Sequence, residues 1–186
     1  QFASLKAKDA IVDKIRRTRK TRPSVSKETP EIEIKLIINK KTCTVYLNSS
    51  GNPLYKREYK KTTHKAPLNT VLASGLIYLA KWNKKIHFID PMCGSGTLCF
   101  EAAMIKQNIP PGINRDFSFQ KWMNYDNELF MYLRKKSIKS IKNLSGNNII
   151  GYDKNALTIK DCRETKSNFK YNLQLNFNIK NITNFD

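Results

Sequence analysis

The sequence predicts an α/β protein, a doubly wound parallel sheet with one helix and two further strands ahead of it. Three features carry this reading. Residues 86–89 form a short apolar run that leads to Asp90, passes through a glycine-rich turn and enters an apolar helical stretch at 98–105. Asn148-Ile149-Ile150-Gly151-Tyr152 is a second such run, ending on Asp153. Upstream, residues 31–38 alternate Ile32, Ile34, Leu36 and Ile38 with charged positions, the pattern of a half-buried strand.

The elements follow in order. Ser4 is placed to cap a helix running to about Lys20, with Leu5, Ile11, Val12 and Ile15 gathered on one face. Arg16, Arg17, Arg19 and Lys20 crowd its remaining surface and are candidate phosphate contacts, against the plainer reading of a solvated basic face. Arg22-Pro23 ends that helix. After the alternating strand, Lys40-Lys41 marks a turn, and residues 42–47 return as a second strand. Ser49-Ser50-Gly51-Asn52-Pro53 is a turn cluster. Beyond it, Lys56, Arg57 and Tyr59 interleave basic and aromatic side chains, which suits either RNA backbone contact with base stacking or an exposed linker.

Residues 69–82 read as a helix through Leu72, Leu76 and Leu79. The interval 109–145 is an insertion between the first helix of the sheet domain and its second strand. Its Phe117, Phe119 and Trp122 are expected to form local core, and Arg115 a structural anchor or phosphate contact. Residues 153–170 read as the next helix, with Ala156, Ile159 and Cys162 inward, and residues 175–182 as the third strand.

Charge narrows the partners. Lys and Arg number 34 against 15 Asp and Glu, a net charge of +19 that favours a polyanion, nucleic acid ahead of an anionic membrane. Part of this excess is a compositional bias that also enriches Asn and Ile. No stretch approaches the roughly 20 apolar residues of a membrane-spanning helix. Gln1 reads as opening inside a longer protein, so no signal peptide is expected here. Cys43, Cys93, Cys99 and Cys162 form no Cys-x-x-Cys pair, and neither histidine stands at ligand spacing, so no metal site is expected. Reduced thiols in the cytoplasm are the simpler reading.

The glycine turn Pro91-Met92-Cys93-Gly94-Ser95-Gly96-Thr97 is the candidate ligand loop. It contains no lysine, so it is not a phosphate-cradling loop, and Cys99 stands where the dinucleotide fingerprint needs a small Gly or Ala. Asp90 opposes a pyrophosphate but suits a ligand bearing both an ammonium and a carboxylate, as S-adenosylmethionine does. A tight turn with no ligand is the bland alternative. Cys93 has no evident base beside it and reads as a small loop residue. The next strand-end acid, Asp153, is placed to accept ribose hydroxyls, although it lies much farther along the chain than in generic dinucleotide folds.

Asp90-Pro91-Met92-Cys93-Gly94-Ser95-Gly96-Thr97, with Glu101-Ala102-Ala103 after it, resembles the cofactor motif of the THUMP-domain RNA guanine-N2 methyltransferases. Within that family it is most similar to the bacterial branch acting on large-subunit (23S) ribosomal RNA. The resemblance extends from the opening Phe2-Ala3-Ser4-Leu5 through Lys65-Ala66-Pro67-Leu68 and Pro111-Gly112 to Gly151-Tyr152-Asp153, most of the chain. It implies part of an α+β THUMP domain at 1–48, a basic linker at 49–63, and the N-terminal half of a Rossmann-like methyltransferase domain at 64–186.

The same resemblance implies S-adenosylmethionine as cofactor, held by His64, Pro67, Leu68, residues 90–97, Asp153 and Lys154, with Asn181 near the adenine. Lys65 and Thr70 depart from the acidic residues expected at their positions, and Asn181 replaces an acid. It further implies RNA, 23S ribosomal RNA first, as partner. The catalytic Asn/Asp-Pro-Pro-aromatic motif is expected beyond residue 186, and Pro110-Pro111 does not substitute for it. Alternatives are a transfer-RNA methyltransferase, a non-catalytic RNA-binding module and, more weakly, a nicotinamide-dependent oxidoreductase.

Overall fold

A computed structural model describes residues 2–24, 26, 28, 30–57, 59, 67–146 and 148–184. The chain divides into two compact units, Gln1–Gly51 with Phe117–Tyr125, and Asn52–Asp116 with Asp126–Asp186.

The first unit opens with α1, Phe2–Arg19, which starts ahead of Ser4, so Ser4 lies within the first turn and does not cap it. Ile11, Val12 and Ile15 are half-buried, whereas Leu5 is exposed. The helix stops where Lys20 turns left-handed at φ 55° and donates its N–H to the Arg16 carbonyl at 2.9 Å. Strands β1 (Ile34–Asn39) and β2 (Thr42–Leu47) then pair antiparallel, from Ile34 opposite Leu47 to Asn39 opposite Thr42. Lys40-Lys41 makes the expected turn, with Lys40 at φ 49°.

The expectation of a half-buried ribbon does not hold. Leu36 alone in the two strands is partly buried, and Ile34, Ile38, Val45 and Leu47 are exposed. Alternation encodes a face able to be buried, but a two-stranded ribbon cannot cover its own face. Asn48 closes the ribbon: its Oδ1 accepts the Ser50 and Gly51 N–H groups at 3.1 Å, and its Nδ2 donates to Glu33 at 2.6 Å. The segment Phe117–Tyr125 seats on this turn, with Phe119 N–H donating to the Ser49 carbonyl at 3.0 Å. Phe117 stacks on Phe119 and Phe119 contacts Tyr125, so the expected local cluster forms around Phe117 and Phe119, half-buried like Trp122 and not a closed core.

The second unit holds a parallel sheet in the order β3 (Phe88–Asp90), β4 (Ile149–Asp153), β5 (Asn176–Ile179). Each strand is shifted or trimmed from its expected range. Burial is also less complete than expected for the first, since Ile89 is 53% exposed. Phe88, Ile89 and Asp90 pair with Ile149, Ile150 and Gly151, and Gly151 pairs in turn with Phe177.

Helix α2 (Thr70–Leu79) is capped by Asn69, whose side chain accepts the Val71 and Leu72 N–H groups. Its buried residues are Thr70, Ala73 and Ile77, while Leu72, Leu76 and Leu79 are exposed, so the leucine stripe does not mark the packed face. Helix α3 (Thr97–Gln107) carries the core. Cys99, Phe100, Ala102, Ala103 and Met104 pack with Ile149, Ile159, Cys162, Leu175 and Phe177. Buried Gln107 is satisfied at both ends, donating to the Asn172 carbonyl and accepting the Gln174 N–H at 2.9 Å.

The insertion contains a helix that no sequence pattern had suggested, α4 (Asn127–Lys139), capped by Asp126. Helix α5 (Ala156–Ser167) buries Ile159 and Cys162 as expected but leaves Ala156 exposed beside its Asn155 cap. From α5, Arg163 donates to the Phe177 carbonyl at 2.9 and 2.7 Å and Lys166 to the Leu175 carbonyl at 2.7 Å, which occupies carbonyls along the outer strand β5.

Gly151 is required where β4 passes beneath the core. A Cβ there would stand 2.7 Å from Phe177 Cδ1 and 3.1 Å from Cys93 Cβ. Gly151→Ala is expected to lower stability by about 1–3 kcal/mol through overpacking, measured by urea denaturation. Phe177→Leu in the same chain should recover part of the loss, since the clash is with the ring.

Candidate functional site

Three parallel strands place their carboxyl ends together, and the loop after β3 crosses that edge. Its conformation follows from its glycines. Gly94 and Gly96 have φ of 49° and 71°, a region that L side chains seldom enter. At Gly96 a Cβ would also strike the Phe177 ring at 2.7 Å, so this glycine lets α3 approach the sheet. At Gly94 nothing lies within 4 Å of the same position, and the backbone there is open to a ligand.

The loop is tied to β4. Cys93 N–H donates to the Tyr152 carbonyl at 2.8 Å, and Gly94 N–H donates to Asp153 Oδ2 at 3.0 Å. The other oxygen of Asp153 accepts the Asn155 N–H at 2.9 Å, which joins the loop to the start of α5. Each carboxylate oxygen has capacity for another donor. Asp90 Oδ1 accepts the Met92 N–H at 3.2 Å. Burial pushes the Asp90 carboxyl above its usual range, Asp153 adds to the rise, and the Met92 N–H opposes it. Two carboxylates therefore bracket one open glycine, with the first turn of α3 behind.

Structure brings together Asp90, Met92, Cys93, Gly94 and Asp153 through these bonds, with Ser95, Gly96 and Thr97 in the same loop and Ser95 and Thr97 hydroxyls 3.2 Å apart. Pro91 is half-buried, and Lys154 is exposed beside Asp153. Asn181 follows β5 on the same edge; Lys180 N–H donates to the Asp153 carbonyl at 3.1 Å, and Asn181 itself accepts the Thr183 N–H at 3.3 Å. Pro67 and Leu68 precede the Asn69 cap of α2, while His64 lies outside the described residues.

The Cys93 thiol is raised by a hydrogen bond with Cys162 and then by burial, and Cys99 is raised by burial. Both are held protonated, the opposite of an activated nucleophile. Cys162 instead donates to the Gly94 carbonyl at 3.3 Å and supports the turn from below. Among the described residues no group of three His, Cys, Asp or Glu side chains could hold a metal ion.

Two of the residues expected to touch RNA are turned inward. Arg57 pairs with Glu101 of α3 at 3.2 Å, with side chains only 8% and 2% exposed. The Tyr59 hydroxyl donates to the same carboxylate at 2.8 Å, and Ser74 of α2 donates to it at 2.5 Å. Tyr59 packs on Phe100 and Phe169, and burial, then Glu101, raises its hydroxyl well above the usual range. Arg57 and Tyr59 therefore do not form the expected RNA contact, being committed to Glu101. A carboxylate buried within α3 needs paired donors, and these two supply them. In the sequence Glu101 stands only as part of the motif that follows the glycine turn. The available signal was one acid inside the apolar stretch of residues 98–105. Lys56, Arg16, Arg17, Arg19 and Lys20 remain exposed. Arg115 acts as an anchor, donating to the Asn52 carbonyl.

A parallel strand, glycine turn and helix, with acids at two strand ends, define a Rossmann-like domain that binds its ligand at the carboxyl edge of the sheet. The model of the RMKL-like methyltransferase domain matches residues 57–186, and that of the THUMP domain matches residues 1–48. The chain belongs to the RMKL-like methyltransferase family, so the expected family and fold class both hold. Residues 57–186 are a methyltransferase domain, and the comparisons connect that domain to S-adenosylmethionine chemistry.

Two relatives are named ribosomal RNA large subunit methyltransferase K/L. That of Psychromonas ingrahamii is 44% identical over 72% of this chain, and that of Buchnera aphidicola is 34% identical over 98% of it. The chain spans 18% and 27% of their lengths. SMU.472, assigned as a methyltransferase and solved with SAH, is 31% identical with a TM-score of 0.84, over 96% of this chain and 47% of its own.

Two outcomes follow from the site. Asp90→Asn keeps an acceptor for Met92 N–H and removes the half-buried charge. A carboxyl raised in the fold favours the folded state only below its unfolded value near 3.9 and loses that advantage as pH rises through the raised value. The Asn variant should therefore gain in relative stability between acid and neutral pH, read from denaturation midpoints at each pH. Glu101→Ala leaves Arg57 buried without its partner, and a loss of about 3–5 kcal/mol is expected in urea unfolding.

Proposed function

We propose that this chain is the cofactor-binding part of a methyltransferase that moves a methyl group from S-adenosylmethionine to guanine N2 in large-subunit (23S) ribosomal RNA, in the cytoplasm. The observation that carries it is the pair Asp90 and Asp153 around the open Gly94. Two acids repel a pyrophosphate and attract the positive end of a sulfonium amino acid. On this reading Asp90 faces the methionine end and the Ser95 and Thr97 N–H groups at the start of α3 face its carboxylate, while the Gly94 and Gly96 N–H groups hold the turn through Asp153 and the Cys93 carbonyl. Asp153 accepts ribose hydroxyls with its remaining lone pairs, and Asn181 accepts from the adenine amine.

S-adenosylmethionine, when bound, supplies an electrophilic methyl group for direct displacement. The chain's own share is to orient it, and positioning supplies much of the acceleration in such a step. The names of the two relatives support ribosomal RNA as substrate, and the THUMP match with the exposed Arg16, Arg17, Arg19 and Lys20 supports RNA contact. We assign RNA gripping to residues 1–48, a linker to 49–63, and cofactor binding to 64–186.

Calorimetric titration of S-adenosylmethionine into the full-length protein should show binding, with none for NAD. Asp90→Ala and Asp153→Ala should each weaken it at least tenfold, about 1.4 kcal/mol or more. Binding of NAD in place of S-adenosylmethionine would overturn the assignment.

A further inference from the structure

We propose that the outward face of α4 is an RNA-backbone contact, with Lys135, Lys136 and Lys139 placed against phosphates and Tyr132 against an unpaired base. This rests on the RNA-methyltransferase reading above and adds a surface to it. An α-to-β connection in a doubly wound unit commonly needs two to six residues. Here the connection from α3 to β4 runs through residues 108–148 and carries a full helix.

Helix α4 is held in place but contributes little to the core, since none of its residues is buried. Its end is fastened to α3: Asn108 donates to the Ser140 carbonyl at 3.2 Å, and Lys142 N–H donates to the Gln107 carbonyl at 2.8 Å. Phe130, Arg134 and Ser137, followed by Ile141, recur at three- and four-residue spacing and are half-buried, which identifies the inward side. Tyr132, Lys135, Lys136 and Lys139 lie on the opposite side, and all four are exposed.

No ion pair engages the three lysines among the described residues. Of the acids nearest in sequence, Asp126 is occupied as the cap, accepting Leu129 N–H at 2.9 Å, and Glu128 shares the outward side one turn before Tyr132, so the face carries three cations against one acid. Three cations and one ring within two turns complement a polyanion with exposed bases, and single-stranded RNA offers both. Leu129 and Leu133 border the stripe and are exposed, so an apolar protein partner is the competing occupant, and salt dependence separates the two.

The test is anisotropy of a labelled single-stranded RNA titrated with full-length protein across a salt series. K135Q/K136Q/K139Q should weaken binding about tenfold at low salt and flatten the slope of log K against log salt by about 2, since each phosphate contact on a single strand contributes about 0.7. Tyr132→Ala should weaken binding about fivefold and leave the slope unchanged. The S-adenosylmethionine affinity of each variant should stay at the wild-type value. A triple variant with wild-type affinity and slope overturns the proposal, as does a loss that is equal at every salt concentration. A wild-type protein that binds S-adenosylmethionine but no RNA overturns the RNA reading itself, and this surface with it.

Discussion

The register between β3 and β4 governs the rest of the second unit. Asp90 pairs with Gly151, so Asp153 lies two residues farther along its own strand, about 6.6 Å beyond the level of Asp90. That step lets one carboxylate stand at the start of the glycine turn while the other reaches back to hold Gly94. The register depends on a bare backbone at 151, because Phe177 and Cys93 fill the space a side chain would take. A shift by one residue would put Tyr152 or Ile150 in that slot and carry Asp153 to the opposite face of the sheet.

The same crowding explains how rigidly the loop is made. Phe177 limits position 96 as well as 151, and Cys162 supports Gly94 from α5, so β4, β5, α3 and α5 all meet under one turn. What remains unconstrained is the upper side of Gly94. A loop fixed from below and open above binds without having to be ordered first, which reduces the cost of association. Asp90 shows the opposing demand: its charge suits a cationic ligand, yet its burial penalises that charge in the free protein. Sites commonly hold such unfavourable charges where a ligand will satisfy them.

Glu101 plays a comparable part away from the glycine turn. One carboxylate in α3 gathers Arg57, Tyr59 and Ser74, and thereby ties the segment before α2, and α2 itself, to the helix that begins at the glycine turn. Interactions at nearly full burial are strong only as a complete set, because any single loss leaves a charge or hydroxyl uncompensated. This is why a Lys-Arg-x-Tyr run that looks like an RNA-binding stretch divides in the fold, with Lys56 left to solvent and its two neighbours drawn inward.

Local chemistry in the sequence by itself determined the strand–glycine–helix unit at Asp90, the second strand ending on Asp153, the β1–β2 turn and the helix carrying Ile159 and Cys162, since periodicity and glycine placement act over a few residues. It also carried the family, because the string from Asp90 to Thr97 is narrow. Tertiary structure alone decided which faces are buried: Ala73 and Ile77 in place of the leucines of α2, and almost nothing in the β1–β2 ribbon. It alone showed that α4 stands as a helix with its lysines outward, that Phe117–Tyr125 seats on the Asn48 turn, and that Arg57 belongs to Glu101. The physical reason is common to all of these. Burial and pairing depend on neighbours distant in sequence, and Arg57 reads as a surface cation until Glu101, forty-four residues later, is folded against it.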